Sequence, residues 1–126
     1  MRQHMQTILC IGEDSSLLGS RAALLRLTGA EVICCDAQAA PELIRTCHFD
    51  LAVLCHTLQY DQVSRISHTT GPQREKPSLL LLAPLTGQQA GYKISCEVMN
   101  NAEPASLLRT TNRLLHQSGQ PSLLNL

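Results

Sequence analysis

The chain has 126 residues, 44% of them apolar, and its ten basic residues balance ten acidic ones for a formal net charge of zero with neutral histidines. That length fits one domain that buries about two thirds of the surface its unfolded chain exposes, so neither a disulfide nor a metal is required to hold it. The charge balance argues against an electrostatic nucleic-acid binder or a polybasic membrane-surface protein, and the apolar fraction against a disordered chain.

Strand-like and helix-like segments alternate. Thr7–Ile11 is a short continuous apolar run, as in a strand buried on both faces. Gly12-Glu13-Asp14-Ser15 breaks it and supplies side-chain oxygens for a helix start. Leu18, Ala22, Leu25 and Gly29 then fall on one helical line, with Arg21 and Arg26 off it and Gly29 as the stop. Glu31–Cys35 reads as a second strand. Ala40, Leu43, Ile44 and Cys47 form an apolar helical stripe with Pro41 in the first turn.

Leu51–Cys55 is the third strand, and a weaker helix over Asp61–His68 is anchored by Val63 and Ile66. A polar loop leads to a fourth strand over Ser78–Ala83, whose shortness and flanking Pro77 and Pro84 favour a strand although it is almost all leucine. Thr86–Tyr92 carries two glycines, so a helix there is short or absent. Lys93–Met99 is the fifth strand. Pro104 opens a last helix with Leu107, Leu108, Thr111, Leu114 and Leu115 on one broad face, and 118–126 is a flexible tail. The alternation implies an α/β domain, a doubly wound parallel sheet of about five strands with helices on both faces. Chemistry in such a sheet sits at the carboxyl ends of the strands: Gly12-Glu13-Asp14, Asp36, Cys55-His56, Ala83-Pro84 and Asn100-Asn101.

No secretory signal precedes the first strand, and the longest apolar stretch, Leu79–Leu85, is far short of the roughly 20 residues of a membrane span, so a cytoplasmic protein is expected. The six cysteines show no Cys-x-x-Cys spacing. Cys10, Cys34, Cys35, Cys55 and Cys96 lie in or at the end of strand-like runs and Cys47 on a helix-like face, so they read as reduced core residues. His4, His48, His68 and His116 are scattered and read as surface residues with no metal role.

Three segments carry a resemblance: Ile8-Leu9-Cys10-Ile11-Gly12-Glu13-Asp14, Phe49-Asp50-Leu51-Ala52-Val53-Leu54-Cys55, and Glu103-Pro104-Ala105-Ser106-Leu107-Leu108. Their content and spacing resemble the receiver domain of bacterial response regulators, the CheY-like superfamily. The resemblance implies a flavodoxin-like sheet of strand order 2-1-3-4-5 and a single domain over 1–126, with its core over 7–117. It also implies where a receiver keeps its chemistry, and most of that chemistry is replaced here. The phosphoacceptor aspartate corresponds to Cys55. The acidic pair that holds Mg²⁺ corresponds to Gly12 and Glu13, followed by Asp14. The switch Ser or Thr corresponds to Leu82, and the Lys-Pro pair to Asn100 and Asn101.

A thiol is a poor stand-in for a carboxylate toward Mg²⁺ or in acyl-phosphate chemistry. The expectation is therefore a degenerate, phosphorylation-independent receiver with no enzymatic activity, cofactor or bound metal. It acts by contact with another signalling protein or a second copy, not with nucleic acid or membrane. No output domain is expected after the last helix. Arg109 and Arg113, four residues apart on that helix, are the candidate interface, with its leucines and the Leu123–Leu126 tail as candidate dimer contacts. Two other readings stand beside this one. Cys55 could serve a thiol-based redox or metal sensor, with His56 as a second ligand, or the vacated pocket lined by Cys55 and Leu82 could take a small ligand.

Overall fold

The computed structural model describes residues 6–55, 60–70, 78–82, 97–99 and 103–119. In chain order they form β1 (Thr7–Ile11), α1 (Ser15–Leu25), a 3-10 turn (Arg26–Thr28), β2 (Glu31–Cys35), α2 (Ala40–Thr46), β3 (Leu51–Leu54), α3 (Tyr60–Thr70), β4 (Ser78–Leu82), β5 (Glu97–Met99) and α4 (Pro104–Gly119). All strand pairs are parallel. Four strands in the order β2-β1-β3-β4 make the body of the sheet, and the three-residue β5 pairs with β4 outside them. The α/β class, the parallel sheet and the 2-1-3-4 order agree with the sequence reading. Of the fifth strand expected over 93–99, only Glu97–Met99 is among the described residues, and the segment 86–92 lies outside them.

Side chains alternate across each strand, so the sheet sorts its residues into two cores. On one face Ile8, Cys10, Leu51, Val53, Leu80 and Leu82 pack under α1 and α4, through Leu18, Ala22, Leu25, Leu107, Leu114 and Leu115. On the other, Leu9, Ile11, Ala52, Leu54, Leu79 and Leu81 pack under α2 and α3, through Ala40, Ile44, Val63 and Ile66. Helices cover both faces. This explains why β1, β3 and β4 read as unbroken apolar runs: a strand covered on both sides gains from burying every side chain.

The helix signals work locally as the sequence implied. Asp14 is the N-cap of α1, its carboxylate accepting from the Leu17 amide at 3.1 Å. Gly29 closes the 3-10 turn at φ 93°, a left-handed conformation that a side chain would strain. Pro41 sits in the first turn of α2.

Three expectations need correction. α4 runs to Gly119, so Ser118 and Gly119 belong to the helix and not to a tail. Cys47 is exposed, because α2 ends at Thr46 and Cys47 is its extended C-cap, off the apolar stripe. Cys34 is exposed as well, because β2 is an edge strand and its alternate side chains are only partly covered.

Candidate functional site

The carboxyl ends of β1, β2, β3 and β4 converge on one edge of the sheet, and the receiver-like positions lie there. Gly12 follows β1, and its amide donates to the Cys35 carbonyl at 3.1 Å. Cys55 follows β3, and its amide donates to the Ile11 carbonyl at 2.9 Å. These two bonds bring Gly12 and Cys55 to the same end of β1. Leu82 ends β4 one strand further along. The structure thus brings Gly12, Glu13, Cys55 and Leu82 to one end of the sheet. His56, Asn100 and Asn101 lie outside the described residues.

The side chains gathered there are buried or already engaged. The Cys55 side chain points into the α1/α4 core and is 1% exposed, and Leu82, in the same core, is 0% exposed. Neither opens to solvent as the wall of a ligand pocket would. Gly12 contributes no side chain. Glu13 is exposed, and its carboxylate accepts from the Ala37 amide at 3.0 Å, with the Gln62 amide nitrogen at 3.5 Å. It therefore ties the start of β1's following turn to the segment after β2 and to α3. Asp14 is spent on capping α1. A hard divalent cation wants several oxygen ligands at short range. One engaged carboxylate, a glycine and a buried thiol do not fit Mg²⁺. Among the described residues no group of three or more His, Cys, Asp or Glu side chains could hold a metal ion.

The sulfur chemistry is more developed. Cys10 lies opposite Val53, and Cys55 is two residues further on, so both thiols sit on the α1/α4 face. Each is close enough to shift the other's titration. The neighbouring Cys55 thiol first, and burial second, hold the Cys10 thiol protonated, far above its ordinary value of 9.0. The Cys55 thiol is lowered, first by the neighbouring Cys10 thiol and, against the opposing effect of burial, by the positive charge of Arg21. Cys35, at the end of β2, is pushed up to about 12, mainly by burial and then by the Asp36 carboxylate.

Arg21 is the residue that the sequence reading left out. It lies on α1 off the apolar line, three residues after Leu18, and is partly buried. Its Nη1 is buried and has no hydrogen-bond partner among the described residues. A cation placed three or four residues from a buried stripe, above a strand ending in Cys, is the signal that could have found it. Arg109 and Arg113 are both exposed on α4, and the Arg109 guanidinium donates to the Ser106 hydroxyl at 3.2 Å.

No family model matches the sequence, and no curated protein matches it at significant similarity. Solved structures do match. A CheY-like response regulator receiver domain protein from Methanospirillum hungatei superposes with a TM-score of 0.69 at 17% identity, over 94% of this chain and 100% of that one. The receiver domain of a Francisella response regulator gives 0.75 at 15% identity, over 90% and 98%. The receiver domain of a sensor histidine kinase from Pseudomonas aeruginosa, which holds a magnesium ion in its active-site cleft, gives 0.70 at 18% identity, over 90% and 99%. The chain has the receiver-domain fold of two-component signalling proteins. No helix among the described residues is long and apolar enough to cross a membrane.

Proposed function

We propose that the chain is a phosphorylation-independent pseudo-receiver of two-component signalling, not an enzyme, which acts by protein–protein contact with another signalling protein or a second copy of itself. The observation that carries this reading is Cys55. At the place where a receiver offers an aspartate to a phosphoryl group, this chain offers a sulfur turned into its own core. The surrounding replacements agree with it: Gly12 has no carboxylate, Glu13 is engaged at the Ala37 amide, and Leu82 is a core residue with no hydroxyl. The Asn100 side chain carries no charge to neutralise a phosphoryl group. A magnesium ion such as the Pseudomonas neighbour holds would find one free acidic side chain too few. What persists is the frame, and a frame without its chemistry can still present a surface. The exposed Arg109 and Arg113 on α4 are the proposed contact residues, with nucleic acid and membranes excluded as partners by the balanced charge.

The test is intact-protein mass spectrometry after incubation with acetyl phosphate and Mg²⁺, beside an untreated sample. The expected result is an unchanged mass. A labile phosphoryl adduct on the folded chain would overturn the reading.

A further inference from the structure

We propose that Arg26 makes an autoinhibitory contact that closes the outer edge of β2 against antiparallel pairing with a second copy of this chain. This does not depend on the partner-binding reading, whose contact residues lie on α4. β2 ends the sheet, and among the described residues no strand pairs with its outer side. The Glu31 amide donates to the Gln6 carbonyl at 2.9 Å, and the Cys35 carbonyl accepts from the Gly12 amide at 3.1 Å. Backbone groups alternate in direction along a strand, so Val32 and Cys34 turn theirs outward. The edge is suited to a second strand: Ile33 is 36% exposed, Cys34 is exposed, and Val32-Ile33-Cys34-Cys35 carries neither a charged side chain nor a proline. One outward acceptor is taken, because the Arg26 guanidinium donates to the Val32 carbonyl at 3.2 Å. A basic residue at a helix end ordinarily serves that helix's own last carbonyls. Arg26 follows α1, but Gly29, at φ 93°, turns the chain back and sets Arg26 beside β2.

The flanking charges choose the arrangement. A parallel, in-register pair sets each Glu31 and each Asp36 against its own counterpart, and like charges directly opposite are destabilising. An antiparallel pair centred on Ile33 sets Glu31 against the counterpart of Cys35 and brings the two Ile33 side chains together. In that register Val32 of one copy faces Cys34 of the other, and each Val32 carbonyl must accept from a Cys34 amide. The acceptor that Arg26 holds is therefore one that this ladder needs. Its donor is charged, and a charge-assisted bond is stronger than the one a neutral amide offers in exchange. A two-fold pair requires both copies to release Arg26, so the closure counts twice.

The experiment is sedimentation equilibrium of the full chain over a range of concentrations, with a reductant present so that the exposed Cys34 and Cys47 form no disulfides. Arg26→Ala is expected to self-associate at least about tenfold more strongly than the parent, since two contacts are removed per pair. Arg26→Lys, which keeps a charged donor, should stay close to the parent. Ile33→Lys added to Arg26→Ala should return the chain to the parent's behaviour, because it sets two like charges face to face at the centre of the pair. Equal association of Arg26→Ala and the parent would overturn the proposal. So would an Arg26→Ala dimer that Ile33→Lys leaves intact, which places the contact on another face, and so would a parent that already pairs and loses its dimer on Ile33→Lys. Should Arg26→Ala fail to fold by circular dichroism, Arg26→Met, which keeps the stem without the donors, takes its place. Collapse of both would equally overturn the proposal, since an exposed edge guard is dispensable for folding.

Discussion

β3 has an aspartate before it and a cysteine after it, and the two ends of this one strand have different fates. At the amino end, Asp50 is buried and fully used. Its carboxylate accepts from the Thr7 amide at 2.9 Å and faces His48 Nε2 at 3.3 Å, its amide donates to the Thr7 carbonyl at 2.9 Å, and its carbonyl accepts from the Ser78 amide at 3.3 Å. One residue stitches β1, β3 and β4 together where the strands begin. At the carboxyl end, where an α/β sheet places its chemistry, Cys55 and Leu82 have turned into the core and Glu13 serves a neighbouring amide. The amino edge needs its polar atoms because a buried amide without a partner is costly. The carboxyl edge meets that same requirement by backbone pairing at Gly12 and Cys55 and by the Glu13 carboxylate at the Ala37 amide, which leaves the Cys55 and Leu82 side chains free to join the core.

The comparison breaks if Leu82 behaves as a site residue. Leu82 is fully buried in the α1/α4 core. Leu82→Thr should therefore cost about 3 kcal/mol of stability, combining lost packing with a buried hydroxyl, read from the urea midpoint. A near-neutral result would mean that the carboxyl edge is open after all. Asp50→Ala tests the other end. It strands the Thr7 amide in a half-buried position and should cost about 2 kcal/mol, somewhat less than the core substitution. If Asp50→Ala were silent, the polar stitching of the amino edge would be ornamental and the contrast between the edges would collapse.

Much of this was legible in the sequence. Continuous apolar runs at Thr7–Ile11, Leu51–Leu54 and Ser78–Leu82 mark strands covered on both faces, and the line Leu18, Ala22, Leu25 is the buried line of α1. The cluster of Gly12, Glu13, Cys55 and Leu82 followed from the alternation and the resemblance together. What was not legible depends on exposure and on side-chain reach. Cys34 and Cys35 look alike in a strand pattern, but an edge strand lacks the neighbour that would bury its outer positions. Cys47 looked like part of a helical stripe because periodicity does not announce a C-cap. Arg21 stood off the apolar line of α1, and a pattern of Cα positions does not record that the end of its long side chain is buried.

The smallest effect sharpens the comparison most, because Asp14 stands between the two edges in meaning. In a receiver the acidic cluster after β1 serves a metal, whereas here Asp14 accepts the Leu17 amide at the start of α1. Asp14→Ala should cost about 1 kcal/mol, the usual worth of an N-cap, and Asp14→Ser should recover most of it because a hydroxyl can accept the same bond. The two explanations separate on addition of millimolar Mg²⁺. A cap gives the same difference between variant and parent with and without the ion. A metal ligand gives a parent that the ion stabilises and an Asp14→Ala variant that it does not, because binding to the folded state alone adds stability by mass action. With Glu13 held at the Ala37 amide and a sulfur in place of a third oxygen, the unfolding curves should be independent of Mg²⁺ for both proteins, and the loss on Asp14→Ala should be that of one helix-capping hydrogen bond.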